Sequence, residues 1–164
     1  LHLKELSDNS ESLVLINTLD KLQLCFLNEN IHIDVEQIEK IQEQEIAQTY
    51  FLIIENVANG NLPKTMKEFR RYAMGKQNFS AFLAFLTRYF RNIQNVSANP
   101  VYKPPYFGKT QEKFKAHVNL WPEKKVKKVI ELLFNLNIKL RKTSRIDDRL
   151  NIERVLMNIC SLIN

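Results

Sequence analysis

The stretch PEKKVKKVIELLFNLNIKL, residues 122–140, decides the fold because its apolar residues recur at helical spacing. Pro122 suits the start of a helix, where its missing amide hydrogen costs nothing. The spacing of three and four residues places the apolar side chains on one face. That stripe consists of Val126, Val129, Ile130, Leu133, Leu136 and Leu140. The stretch therefore predicts a long amphipathic helix from Pro122 to about Lys142, with one face toward a core.

The same period recurs on both sides of this stretch, and no alternating strand pattern of any length competes with it. Polar residues suited to helix caps, and the pair Asn59-Gly60, separate the apolar segments. Further helices are predicted at residues 11–27, 34–41, 47–58, 63–75, 78–95 and 111–120, and Asp147 or Asp148 caps a last one. The sequence thus predicts an all-α protein of eight or so helices.

Apolar positions on these helices define the expected core of the C-terminal part. The helix after Asn78 is rich in aromatic rings, which can stack on nucleic-acid bases, but their spacing is that of a packed stripe. We therefore expect those rings in the core. The full expected set is Phe51, Ile54, Phe82, Phe85, Leu86, Phe114, Trp121, Val126, Leu133 and Leu156.

Charge divides the chain unevenly. Residues 1–60 hold three lysines, no arginine and 11 acidic residues, a net charge of −8, whereas residues 61–164 hold 21 basic and seven acidic residues, a net charge of +14. Such asymmetry indicates two units with different electrostatic partners, and nucleic acid is the usual partner of a basic one. We therefore predict a small acidic helical domain at residues 1–45 and a basic helical bundle at residues 46–164.

The sequence lacks the patterns that support catalysis. Gly60, Gly75 and Gly108 stand too far apart to form a phosphate-binding loop. The three histidines have no second His or Cys at metal-ligand spacing, and no nucleophile has a recognisable base. Cys25 and Cys160 are expected to be reduced, since no secretory signal precedes them. We expect no enzymatic activity, no cofactor and no metal site.

The apolar runs and the N-terminus bear on location. The longest runs, Tyr50–Ile54 and Ala81–Leu86, fall far short of the roughly 20 residues that a membrane span needs. The sequence also begins without Met and within a helical pattern. We therefore expect a cytoplasmic protein without a membrane segment, and a piece of a longer chain.

Two groups of cations are candidates for nucleic-acid binding. The first consists of Lys124, Lys125, Lys127 and Lys128, at the beginning of the long helix. Their positive charge opposes the helix dipole there, and a solvated face is the alternative interpretation. The second group, which we predict to bind DNA, consists of Arg141, Lys142, Arg145 and Arg149. Because cations near a helix C-terminus complement the dipole, helix electrostatics also explains part of this group.

Several short motifs follow one another along the chain. They are Asn17–Leu22 (NTLDKL), Ile33–Val35 (IDV), Lys103–Phe107 (KPPYF), Leu120–Trp121, and Asp147–Leu156 (DDRLNIERVL). In order and spacing they resemble the lid and collar domains of the delta subunit of bacterial DNA polymerase III. The last motif is similar to the final helix of that family, in which Asp-x-Arg-Leu followed by Leu-Glu-Arg recurs. Pro122, Asn137 and Ser144 depart from the residues usual in the family.

The resemblance implies a non-catalytic subunit of the clamp loader, the ATP-driven machine that closes the sliding clamp around primed DNA. Residues 1–45 would be the end of the AAA+ lid domain, and residues 46–164 the collar domain that joins other subunits. The implied partners are the gamma/tau and delta-prime subunits, primed DNA, and the sliding clamp through an N-terminal domain outside this sequence. The loop with Arg141, Lys142 and Arg145 would lie near the primer–template junction.

The alternative function is a stand-alone basic helical nucleic-acid-binding module. The charge of +14 in residues 61–164 favours it. A helix-turn-helix would need a short polar recognition helix after a tight turn, and no segment stands out as one. Because no base-reading helix is present, we expect the isolated chain to bind DNA only weakly and without sequence preference.

Overall fold

The computed structural model describes residues 35–74, 78–99, 101–106, 108–141 and 145–163, with side chains from residue 45 onward except at residues 145–147. Within these ranges all regular structure is helical, which confirms the predicted all-α bundle. The helices are α1 (Val35–Ala58), α2 (Leu62–Ala73), α3 (Phe79–Ala98), α4 (Gly108–Leu120), α5 (Glu123–Leu140) and α6 (Arg145–Ser161). The predicted helix at residues 11–27, and the motif at residues 17–22 within it, lie outside the described residues.

Helix α1 differs from the prediction because it is one continuous helix rather than two. The predicted break falls in the sequence QEQEIA, residues 42–47, which has neither glycine nor proline and is made mostly of good helix formers. Backbone proximity divides the chain between Gln42 and Glu43, and every side chain described below belongs to the second part. The predicted domains at residues 1–45 and 46–164 stay a prediction.

Local sequence explains where α2 and α3 begin. The side-chain oxygen of Asn61 accepts a hydrogen bond from the backbone N–H of Lys64 at 3.2 Å, and Pro63 lies in the first turn of α2. Asn78 accepts one from the backbone N–H of Ala81 at 3.0 Å in the same way. Each cap satisfies an amide that the first turn of a helix leaves without a partner.

Gly60 ends α1 in a conformation that suits glycine alone. Its φ angle is +66°, in the left-handed region, and its N–H donates to the Val57 carbonyl at 3.0 Å. A Cβ atom at this position would lie 3.2 Å from the Cβ of Ile163, at the end of the chain. The turn between α1 and α2 therefore needs glycine for its backbone angle and for the close approach of Ile163.

The core lies between α3 and α5, the most extensively packed helix pair, while α6 packs on α2 and α5. Trp121 stands between α4 and α5 and is almost fully buried. Its indole Nε1–H donates to the carbonyl oxygen of Ala58 at 2.8 Å, and its ring meets Phe90 edge-on at 4.9 Å between centroids. This one side chain thus connects α1, α3 and the α4–α5 corner.

Eight of the ten predicted core residues are buried, and Phe51 and Phe85 are not. Phe51 is 39% exposed and Phe85 is 40% exposed, and their rings contact each other edge-on at 6.4 Å. Phe85 also leans on the buried Tyr50 at 5.3 Å. The prediction was wrong for both because an apolar stripe on a helix can be wider than the strip its neighbours cover, and these rings lie at its edge.

Candidate nucleic-acid interface

The predicted DNA-binding cations surround the connection between α5 and α6. Arg141 caps the C-terminus of α5 and is exposed. Arg145 is the first residue of α6, and its side chain lies outside the described part, as does the whole of Lys142. Since α6 begins at Arg145, Asp147 and Asp148 lie in its first turn, a position where acidic residue types are favoured by the helix dipole. The prediction that one of them is the N-cap was therefore wrong.

Arg149 takes part in an ion cluster that joins α6 to α2. Its Nε lies 3.4 Å from Oε1 of Glu153, one turn along the same helix. The same carboxylate accepts two hydrogen bonds from Arg70 of α2, both at 3.3 Å. The Glu153 side chain is only 10% exposed, whereas both arginines reach solvent. Two guanidinium groups on one carboxylate leave net positive charge at this surface. No pattern in the sequence indicated that Arg70 would belong to this cluster.

The lysine group at the start of α5 lies mainly in solvent. Lys124 and Lys128 are exposed, Lys125 is half-buried, and Lys127 forms an ion pair of 2.6 Å with Glu123. The hydrogen bond that Lys127 donates is the main reason why the pKa of the Glu123 carboxyl is lowered, and the positive charge of Lys127 is the second reason. Glu123 lies in the first turn, so it offsets part of the repulsion between these lysines and the helix dipole.

A groove of about 330 Å³ runs between α3 and α5, and sequence reasoning missed it. Arg91 and Thr87 of α3 form one wall, and residues of α5 form the other. Phe134 lines the groove and is 63% exposed, and Ile138, one turn further along α5, is also exposed. Phe134 directly follows the buried Leu133 and therefore lies beside the buried stripe of α5. This offset was the feature of the sequence that could have predicted an exposed ring.

A buried polar network lies behind α3. His117 of α4 is nearly inaccessible, and its Nδ1 lies 2.6 Å from the hydroxyl of Tyr89. Its Nε2 lies 3.0 Å from Oδ1 of Asn59, an oxygen that only accepts, so Nε2 carries the hydrogen and Tyr89 donates to Nδ1. Burial lowers the pKa of His117, and the charge of Lys113 adds to this effect, while that of Glu55 opposes it. These two hydrogen bonds connect α4 to α3 and to the end of α1.

Within the described ranges, no three His, Cys, Asp or Glu side chains lie together as metal ligands would. None of the described helices has both the length and the apolar character needed to cross a bilayer. Comparison of the chain with protein-family models, curated proteins and solved structures finds no match. The positions of the side chains therefore carry the functional argument.

Proposed function

We propose that the chain is the lid end and collar domain of a clamp-loader delta subunit. In this role it performs no catalysis, packs against gamma/tau and delta-prime in the bacterial cytoplasm, and helps to load the sliding clamp on primed DNA. The observation that carries the proposal is that residues of the motifs behind the resemblance also make the contacts that hold the helices together.

The KPPYF run supports this proposal first. Tyr106 packs on Phe114 of α4 with ring centroids 4.7 Å apart, and its hydroxyl accepts a hydrogen bond of 3.0 Å from Asn92 of α3. Tyr102, just before the run, donates to the same Asn92 side chain at 2.9 Å. Aromatic packing and hydrogen bonds thus hold the segment between α3 and α4 in place. This role explains why the fold would need tyrosines in and just before the KPPYF run.

The motifs at Trp121 and at Asp147–Leu156 support it in the same way. Trp121 connects three parts of the bundle, and Glu153, paired with Arg149 on its own helix, joins α6 to Arg70 of α2. The surface adds a further argument, because the adjoining rings of Phe51 and Phe85 are exposed beyond what the internal core covers. Exposed large apolar side chains are typical of proteins that pack against partners.

Reconstitution tests the proposal. The purified chain is mixed with gamma/tau and delta-prime from the bacterium that encodes it, and complexes are separated by size-exclusion chromatography with light scattering. We expect co-elution with the loader subunits, and no co-elution with a gamma/tau variant that lacks its own collar. ATP turnover by the chain alone should equal the buffer blank. A folded chain that stays separate from intact loader subunits contradicts the proposal.

The stand-alone nucleic-acid-binding module remains the second candidate, favoured by the solvent-exposed lysines on α5 and by the exposed Arg141 at its end. Such a module binds DNA without loader subunits and does not enter their complex. The same chromatography, run with labelled duplex DNA in place of the loader subunits, distinguishes the two candidate functions. Tight DNA binding without co-elution favours the module.

A further inference from the structure

We propose that the groove between α3 and α5 binds single-stranded nucleic acid, with one base stacked on Phe134 and the adjacent phosphates held by Arg91 and Lys127. The proposal does not rest on the loader assignment, since a loader subunit and a stand-alone module can both carry such a groove. It concerns other residues than the cations predicted to bind DNA at the α5–α6 connection.

Phe134 supplies the stacking platform. It is the most exposed phenylalanine among the described residues, and α5 already contributes Val126, Val129, Leu133 and Leu136 to the core. Packing therefore does not account for a ring at this position. Base–aromatic stacking accepts any base, because every base presents a π-face.

Two cations line the same groove as the ring. Arg91 is exposed on the α3 wall and makes no ion pair with any residue in the described part of the chain, while Lys127 is 62% exposed beside its partner Glu123. Residues 123–141 carry six cations and two carboxylates, a net charge of +4. A groove with positive edges and an open aromatic ring is the usual design of single-strand binding sites.

The remaining polar groups of the groove suit base edges rather than phosphates. Thr87 and Asn137 each offer a donor and an acceptor, and the Glu131 carboxylate accepts from exocyclic amino groups. Glu131 repels phosphate, so the strand is expected to pass along the Arg91 and Lys127 side. The volume of about 330 Å³ is at the small end of ligand sites, which matches one nucleotide rather than a wide interface.

Single-stranded nucleic acid fits this surface better than the two other macromolecular partners. Duplex DNA keeps its bases stacked inside, so it offers no base face to Phe134. Protein interfaces are depleted of lysine, whereas Lys127 lines this groove and Lys124 and Lys128 are exposed on the same helix. The charge and the ring together therefore favour a flexible polyanion with accessible bases.

Fluorescence anisotropy with a labelled oligothymidylate of about 20 nucleotides tests the stacking. We expect Phe134→Ala to weaken binding about fivefold or more, the range that alanine substitution gives for one stacked base. Phe51→Ala removes another exposed ring outside the groove and should leave the affinity unchanged. Thermal unfolding checks that both variants are folded. Equal affinities for wild type and Phe134→Ala overturn the proposal.

A salt titration tests the cations. Arg91→Gln with Lys127→Gln should reduce the slope of log affinity against log salt by about 1.4, since each single-strand phosphate contact contributes about 0.7. The matched control, Lys109→Gln with Lys115→Gln, removes the same charge from exposed positions on α4 and should reduce the slope much less. Equal losses in both pairs mean that only net charge matters and contradict the site. If Phe134→Ala disturbs protein assembly but not oligonucleotide binding, the groove is a protein-docking surface and the proposal fails.

Discussion

His117 gives the bundle a pH dependence that follows from its burial. Its neutral form fits both Tyr89 and Asn59, and burial lowers its pKa in the folded state. Between that lowered pKa and the unfolded value of about 6.5, the unfolded chain binds more protons. We therefore expect the free energy of unfolding to fall as pH drops below about 6.5, by at most about 1.4 kcal/mol per pH unit from this residue.

Urea denaturation from pH 5 to pH 8 measures this effect. His117→Gln is the matched variant, because glutamine keeps a polar side chain but does not titrate. Its unfolding free energy should depend less steeply on pH than that of the wild type below pH 6.5. Parallel pH profiles for the two proteins would show that His117 is protonated equally in both states.

At the scale of single residues, Gly60 and Gly108 can be compared directly. Both have positive φ angles, +66° and +54°, but a Cβ at Gly60 meets Ile163 at 3.2 Å whereas a Cβ at Gly108 meets no atom within 4 Å. The left-handed backbone alone costs a non-glycine residue about 1–2 kcal/mol. We expect Gly60→Ala to lower the free energy of unfolding by more than Gly108→Ala, measured by chemical denaturation. Equal losses would mean that Ile163 moves aside without cost.

At the scale of elements, one carboxylate links α2 to α6 at the edge of their apolar contact. Glu153 is largely buried and accepts from both Arg70 and Arg149. Glu153→Gln keeps the shape of the side chain but removes its charge, so we expect the free energy of unfolding to fall by about 1 kcal/mol. The expected loss is no larger because both arginines reach solvent, which weakens their attraction to the carboxylate. Glu112→Gln, an exposed carboxylate on α4, is the control and should change it by less than about 0.5 kcal/mol.

The sequence predicted an element well where its ends have local causes. Asn61 and Asn78 cap α2 and α3 through their own first turns, and Pro122 begins α5, so short segments contain all the information required. The continuous α1 was missed because a second unit was predicted to begin near Ala47, and that boundary was also taken as a break in the helix. Backbone continuity depends instead on helix propensity, and the sequence from Gln42 to Ala47 sustains a helix.

At the scale of the whole molecule, the features that the sequence could not predict depend on pairing between distant residues. His117 meets Asn59 across 58 positions, and Arg70 meets Glu153 across 83. Periodicity identifies the buried face of a helix but not which neighbour covers its edges. That is why Phe51, Phe85 and Phe134 were placed correctly on helices, while their exposure and the groove beside Phe134 were not predicted.

The last prediction concerns DNA binding by the assembled protein. Arg141 is exposed at the end of α5 and Arg145 begins α6, so this short connection holds more cations than one helix dipole needs. Under the proposed function, Arg141→Ala with Arg145→Ala should weaken primed-DNA binding by the reconstituted loader and leave assembly intact. Each lost phosphate contact should reduce the salt slope by about 1, as measured by a titration of DNA binding. Lys109→Ala with Lys115→Ala is the charge-matched control on α4. If both pairs leave slope and affinity unchanged, the cations at this connection serve the helix ends and not DNA.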